Sequence, residues 1–322
     1  MRRRGCVATT LALLIVVSGC GSRATTNSSP TSQLPATGSV SPSEGTLPSG
    51  RIAFEVEVGF DGEISKNIYS VRPDGGGAQQ LTHLAAGYAY HPAYSPDGSR
   101  IFFAQEDRGR TRWGGPTSHL HVMDADGAQT GRLTSGREYD TAPATSADGT
   151  WVAFVRQIGE DRSAIFLMHP DGTAIDQLTQ PPKPESDNFP SFSPDGTSVA
   201  FDRGGAIYVA SLSDPEKPRR ITPSGVDAQY ARWSPDGRRL LFEADGLHAV
   251  NADGSGLADI GPGGGGDWSP DGNWIAYQRW TPGTNYLALV VARADGSNPS
   301  EVWTTPPGTD TFIVYVDWGP GT

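Results

Sequence analysis

Apolar and polar positions alternate in short runs between residues 51 and 318, and the runs recur in units of about forty residues. One series reads Arg100-Ile-Phe-Phe-Ala104, Trp151-Val-Ala-Phe-Val155, Val199-Ala-Phe-Asp202, Leu240-Leu-Phe-Glu243 and Trp274-Ile-Ala-Tyr277. A second follows in each unit, as in Asn67-Ile-Tyr-Ser-Val71, His119-Leu-His-Val-Met123, Ala164-Ile-Phe-Leu-Met168 and Ala206-Ile-Tyr-Val-Ala210. A short polar third, such as Gln80-Leu81-Thr82 or Arg132-Leu133-Thr134, ends the unit. Alternation over four to six residues is strand patterning, and no amphipathic helical period separates the runs.

Twelve Asp-Gly dipeptides punctuate these runs, ten of them in two phases. In the first, an aromatic or Thr precedes Ser-Pro-Asp-Gly or Ser-Ala-Asp-Gly, at Tyr94–Gly98, Thr145–Gly149, Phe192–Gly196, Trp233–Gly237 and Trp268–Gly272. In the second, Pro-Asp-Gly or Ala-Asp-Gly ends at Gly75, Gly127, Gly172, Gly254 and Gly296. Gly accepts positive φ without a Cβ clash and Asp bonds locally to backbone N–H, so both phases predict tight turns. Half of the 25 Asp residues serve these turns.

Four antiparallel strands per unit, repeated without helices, predict an all-β fold: a six-bladed β-propeller. A ring of blades avoids exposed sheet edges by completing one blade from both termini. Ile313-Val-Tyr-Val-Asp-Trp318 reads as one more inner strand, while the first unit starts at its second strand, Arg51-Ile-Ala-Phe54. The C-terminal strand is therefore expected to close the first blade.

Residues 1–19 form a different object. Arg2, Arg3 and Arg4 precede an apolar run too short to span a bilayer, and Val17-Ser-Gly-Cys20 has the form of a lipobox. The expectation is a signal peptide cleaved before Cys20, with acylation of Cys20 and a lipid anchor on the extracytoplasmic face of a bacterial membrane. Two or more acyl chains, such as palmitate, make such an anchor stable. Residues 20–48 then form a Ser/Thr/Pro tether reaching about 30 Å, and residues 49–322 form the propeller domain. Cys6, the only other cysteine, lies in the leader, so the domain has no thiol for disulfides, Cys-ligated zinc or nucleophilic catalysis.

Loss of Arg2, Arg3 and Arg4 takes the formal charge from −11 to −14, which disfavours nucleic acid as a partner. Gly261-Pro-Gly263-Gly-Gly-Gly266 matches a dinucleotide pattern but leads into a strand at Asp267-Trp268, leaving no helix N-terminus for a phosphate. No GxSxG, Walker A or HExxH motif is present. The Asp124-Ala-Asp126 and Asn251-Ala-Asp253 fragments lack the remaining ligands of a calcium loop. His119 and His121 share a strand face, a two-histidine spacing without an evident third ligand. These features predict no cofactor and no metal.

The entries to the inner strands remain, where loops converge on the channel. Aligned on the aromatic anchors, Tyr90, His91, Asp140, Asp187, Asn188, Asp227, Gln229 and Asp310 fall at one mouth and form the candidate ligand-binding set. The alternative assigns them to strand capping and channel water.

The aromatic-Ser-Pro-Asp-Gly repeats, each followed by an apolar strand and a Pro-Asp-Gly or Ala-Asp-Gly hairpin, resemble the WD-like repeats of TolB-type propellers across roughly residues 50–322. That resemblance implies a propeller that binds a protein or ligand in the cell envelope, as TolB-type proteins bind a peptidoglycan-associated lipoprotein. Similar repeats occur in prolyl-oligopeptidase-like enzymes and in oligogalacturonate lyases, whose chemistry uses a histidine-rich metal site. A binding scaffold without catalysis is therefore expected. The competing expectation is a metal-dependent saccharide lyase or hydrolase using His91 with mouth carboxylates.

Overall fold

The computed structural model describes residues 47–60, 63–84, 87–280, 287–305 and 310–321. Both cysteines and residues 1–46 lie outside the described residues. Among the described residues the fold is an all-β propeller without helices. Strands β1 (Arg51–Phe60), β2 (Glu63–Val71) and β3 (Gln79–Gln80) come first, then β4 (Gly87–Tyr94), β5 (Arg100–Arg110), β6 (Pro116–Asp124) and β7 (Gly131–Arg132). Four separate antiparallel sheets follow. They comprise β8 (Asp140–Thr145), β9 (Val152–Gly159), β10 (Arg162–Met168) and β11 (Asp176–Gln177); then β12 (Asp187–Phe192), β13 (Ser198–Arg203), β14 (Ala206–Ser211) and β15 (Asp214–Arg220). The remaining two hold β16 (Gln229–Trp233), β17 (Arg239–Glu243), β18 (Leu247–Asn251) and β19 (Ala258–Gly261), and β20 (Gly264–Trp268), β21 (Trp274–Trp280), β22 (Leu287–Arg293) and β23 (Ser300–Thr304). The last strand, β24 (Asp310–Gly319), pairs antiparallel with β1, placing Trp318 opposite Ile52.

The pairing departs from six separate sheets at one place. β24, β1, β2, β4, β5, β6 and β7 run as one sheet, with β3 on β2 as its eighth strand. The join is a two-residue parallel contact, Ser65 opposite Gly87 and Lys66 opposite Tyr88. Its cause is length: the β1–β2 hairpin stays paired out to Phe60 and Glu63, so β2 reaches the first residues of β4.

Turn chemistry explains the repeated Ser-x-Asp. Ser146 Oγ donates to Asp148 (2.6 Å) and accepts the Trp151 N–H (2.9 Å), and Ser193, Ser234 and Ser269 repeat both bonds. The serine hydroxyls, with backbone N–H groups behind them, hold the Asp97 and Asp148 carboxyls down to about 2. The closing Thr of each short strand has an equally local duty. Thr82, Thr134, Thr179 and Thr222 accept the backbone N–H of Ile68, Leu120, Ile165 and Ile207 at 2.9–3.0 Å.

Strand alternation divides each sheet between two neighbours. Val199 and Phe201 of β13 pack back onto Val155 and Ile165, whereas Ala200 packs forward with Leu240 and Phe242. The second turn phase needs Gly twice over. Gly127 has φ 90° and a Cβ there would stand 2.8 Å from the Leu81 carbonyl oxygen; Gly75 has φ 79° and the same relation to Val302 at 2.9 Å. Thus the turn between β2 and β3 seats on β23, the end of the fourth separate sheet. Phe54 completes that contact with its ring 5.0 Å from Trp303.

Candidate functional site

β4, β8, β12, β16, β20 and β24 each lie against the next, and β24 lies against β4, so these strands surround the channel. Each carries one residue four positions before the turn serine or its equivalent, Gly319: His91, Ala142, Phe189, Tyr230, Gly265 and Tyr315. The first five adopt φ between 48° and 58°, and the ladder to the adjoining strand shifts register there in all six cases. Left-handed backbone at His91, Ala142, Phe189 and Tyr230 costs of order 1–3 kcal/mol each and persists only where surrounding contacts impose it. Those contacts are aromatic. His91 lies 5.4 Å from Phe189 and 5.0 Å from Tyr315, and Tyr230 lies 4.2 Å from Phe189 and 6.4 Å from Tyr315. Four rings therefore meet across the channel.

Above this aromatic floor stand carboxylates from second strands. Glu55, Asp202 and Glu243 each follow the aromatic residue of β1, β13 or β17; Glu55 accepts the backbone N–H of left-handed His91 at 3.3 Å, and Asp202 and Glu243 pair opposite Asn188 and Gln229, the residues before left-handed Phe189 and Tyr230. Burial pushes all three carboxyls up, Asp202 well above the ordinary range. Lys66 binds Glu55 at 2.9 Å and Glu57 at 3.0 Å. Burial works against its charge, but these two carboxylates outweigh it and hold the ammonium above its ordinary value.

A second charged layer precedes the aromatic anchors: Arg232, Asp267 and Asp317. Asp317 accepts the Tyr94 N–H (2.8 Å), and Asp267 accepts those of Trp268 (2.8 Å) and Trp318 (2.9 Å). The Arg232 guanidinium stacks 4.6 Å from the Tyr315 ring. These bonds tie neighbouring inner strands together. Burial, with the like charge of Asp267 adding and Arg232 opposing, raises Asp317 from 3.8 to about 7. The folded chain then keeps a proton that the unfolded chain gives up between about pH 4 and 7, so stability falls as pH rises through that window. Asp317→Asn retains an oxygen for the Tyr94 N–H and should flatten the slope, melting higher than the parent near pH 8. Melting curves across the window check this; a parent whose stability rises with pH, unmoved by the substitution, would contradict it.

The sequence-derived site residues have different fates. Tyr90 is buried, its hydroxyl 2.7 Å from Ser118 Oγ and 3.0 Å from Tyr139 Oη. His91 is in the aromatic floor, with Nδ1 2.8 Å from Thr141 Oγ1 and burial pushing its imidazole down to about 3. Asp140 and Asp187 are fully buried in ion pairs with Arg156 and Arg203 inside their own sheets. Asn188 accepts from Ser163 Oγ (2.8 Å) and, with Tyr139, Thr141, Gln157, Glu160 and Arg162, lines a 440 Å³ cleft beside the channel. Asp227 and Gln229 are exposed, and Gln229 donates to Glu243 (3.3 Å). Asp310 pairs with Gly59 at the start of β24, and its side chain, like Cys20, lies outside the described residues.

His119 and His121 are engaged separately, His119 with Asp107 (2.7 Å) and His121 against Phe103. Among the described residues no three His, Cys, Asp or Glu side chains converge to hold a metal ion. Sequence reasoning passed over Glu55, Asp202 and Glu243, although a carboxylate directly after Phe54, Phe201 and Phe242 breaks the apolar pattern of those strands. It also passed over Phe189, Tyr230 and Tyr315, whose signal was a common offset from the turn serine or its equivalent.

This architecture defines a β-propeller with an aromatic floor across its channel. The chain belongs to the TolB beta propeller domain family, whose sequence profile matches residues 141–308. It is 36% identical over 137 residues to a TolB homolog of Chlorobium luteolum, covering 42% of this chain and 28% of that one. It is 26% identical over 223 residues to an uncharacterized protein of Agrobacterium fabrum, covering 68% and 64%. The crystal structure of TolB from Acinetobacter baumannii superposes with a TM-score of 0.67 at 19% identity, over 84% of this chain and 67% of that one, a likeness of fold. The chain spans 28% to 64% of the length of these two curated relatives.

Proposed function

We propose that this chain is a lipid-anchored extracytoplasmic scaffold whose six-bladed propeller receives an envelope protein or small ligand at one channel mouth. The blade count treats the eight-stranded sheet as two blades, β24-β1-β2-β3 and β4-β5-β6-β7, parted at the two-residue parallel contact. The cycle of six neighbouring inner strands supports that division. Anchoring rests on the lipobox ending at Cys20 and the tether to residue 48.

The binding role is carried by the mouth itself. Its left-handed inner-strand residues, aromatic floor and fixed carboxylates are preorganised, and rigid concave polar surfaces are where ligands bind. His91, the residue that a metal-dependent lyase or hydrolase would require, is already committed to Thr141 and the floor. Family membership agrees with a binding propeller.

Two measurements test the halves of this reading. Palmitate labelling and membrane fractionation of the full chain should show a labelled, membrane-bound protein, and Cys20→Ser should abolish the label and release nearly all of the chain. Retention of unlabelled Cys20→Ser in the membrane would remove the anchor. A photo-crosslinking side chain at exposed Asp227 should give a discrete adduct in cells, whereas one at Arg219, on β15, should not.

A further inference from the structure

We propose that the channel mouth binds an organic ammonium group, held between Asp202 and Glu243 above the Phe189–Tyr230 ring pair. Asp202 is only 9% exposed, and its Oδ1 has no hydrogen-bond partner. Oε2 of Glu243 is likewise buried and unpartnered. The two carboxylates come from different sheets: Asp202 pairs opposite Asn188, which precedes Phe189, and Glu243 opposite Gln229, which precedes Tyr230, so both lie beside this ring pair. Phe189 stacks against the same ring at 4.2 Å.

Charge balance shows what is missing. Glu55, Glu57, Glu106, Asp202 and Glu243 surround this mouth; Lys66 acts on the first three and is spent on Glu55 and Glu57. Among the described residues no Lys, Arg or His forms an ion pair with Asp202 or Glu243. Aromatic faces attract cations, and an ammonium brings three N–H donors to unfilled carboxylate oxygens. The carboxylates stand around the rings on separate strands, an arrangement that suits a cation shared among them.

Protons occupy the same role in its absence. Burial holds both carboxyls above the ordinary range. Asp202 faces Asp187, which is paired with Arg203, together with Asn188 and Tyr230; Glu243 faces Gln229, Tyr230 and the backbone of Gly265. An arriving ammonium favours the ionised carboxylates, each protonated one releases its proton to solvent, and affinity rises with pH.

This assignment deepens the binding reading and is independent of the anchor. Calorimetric titration of the purified full chain would use 1,5-diaminopentane, N-acetyl-lysine methylamide and, as a neutral control, 1-pentanol. The diamine is expected to saturate one site with proton release, the alcohol to give no saturable heat, and Asp202→Asn and Glu243→Gln each to weaken the diamine about tenfold or more. Equal binding of the lysine derivative would identify a partner's lysine side chain as the source of the ammonium; binding of the diamine alone would identify a free amine. Absence of saturable binding by either amine near pH 8, in a chain that melts cooperatively, overturns the proposal. So does parent-like affinity in both variants, and if one variant fails to fold, the other and the amine-against-alcohol contrast decide. A chain that yields the crosslinked adduct at Asp227 but ignores both amines refutes this assignment alone.

Discussion

A chain lacking residues 311–322 is expected to lose cooperative folding altogether. β24 pairs with β1 along its length and lies between β20 and β4, so its removal opens the ring of inner strands on both sides. Ile313, Tyr315, Val316 and Trp318, each at most 5% exposed, would leave together. Large-to-small core changes cost about 2–5 kcal/mol apiece, and four such losses rival the whole stability of a domain, about 5–15 kcal/mol. Tyr94 would also lose the Asp317 carboxylate that accepts its N–H. β1 would become a bare edge, a template for aggregation. Calorimetry and far-ultraviolet circular dichroism of the truncated and full chains check the expectation. A truncated chain with the melting temperature and enthalpy of the full one would show that β24 does not close the ring.

The second large effect is expected at the channel floor, where one residue separates packing from polarity. Tyr315 is 1% exposed and contacts His91, Phe189 and Tyr230, with Arg232 stacked on its ring. Tyr315→Ala opens a cavity at the axis, strips Arg232 of its aromatic face and should cost about 3–5 kcal/mol. Tyr315→Phe keeps the ring and deletes a buried hydroxyl that has no hydrogen-bond partner. That variant should match or exceed the parent in stability, because an unpaired buried polar group is itself unfavourable. Urea unfolding of the three proteins measures both. Equal destabilisation by Ala and Phe would mean that the hydroxyl, rather than the ring, is the important group.

The ammonium assignment and the Asp317 titration share one physical origin. Several carboxylates sit where water cannot solvate them, and each has a raised proton affinity for that reason. Bound cations and bound protons are then competing answers to the same charge. Stability and affinity should consequently vary with pH in opposite directions across the acid range, stability falling and amine affinity rising.

What could be read from the chain was whatever repeats locally. Ser-x-Asp-Gly forms its turn from bonds spanning five residues, and Phe201 and Ala200 face opposite neighbours because strand periodicity is two. Those signals are contained within a few residues, so all-β architecture, strand order and the pairing candidates for β1 and β24 followed from composition and spacing. The alignment by offset did not foresee how the side chains at the candidate mouth are engaged. Asp140 and Asp187 look like ligands in sequence, yet Arg156 and Arg203 on the adjacent strands neutralise them. Alignment by offset shows which residues share a layer, but not which of them a partner already satisfies.

Sequence alone thus determined the repeat, its turns and the alternation that splits each sheet between two neighbours, because hydrogen bonds and side-chain periodicity act over short separations. Tertiary structure alone decided that His91, Phe189, Tyr230 and Tyr315, up to 224 positions apart, would meet as one floor. It also decided that Asp202 and Glu243, from different sheets, would lie beside the Phe189–Tyr230 ring pair with oxygens to spare. Closure of the ring imposes both, since burial, desolvation and charge balance depend on every blade at once and belong to no single repeat.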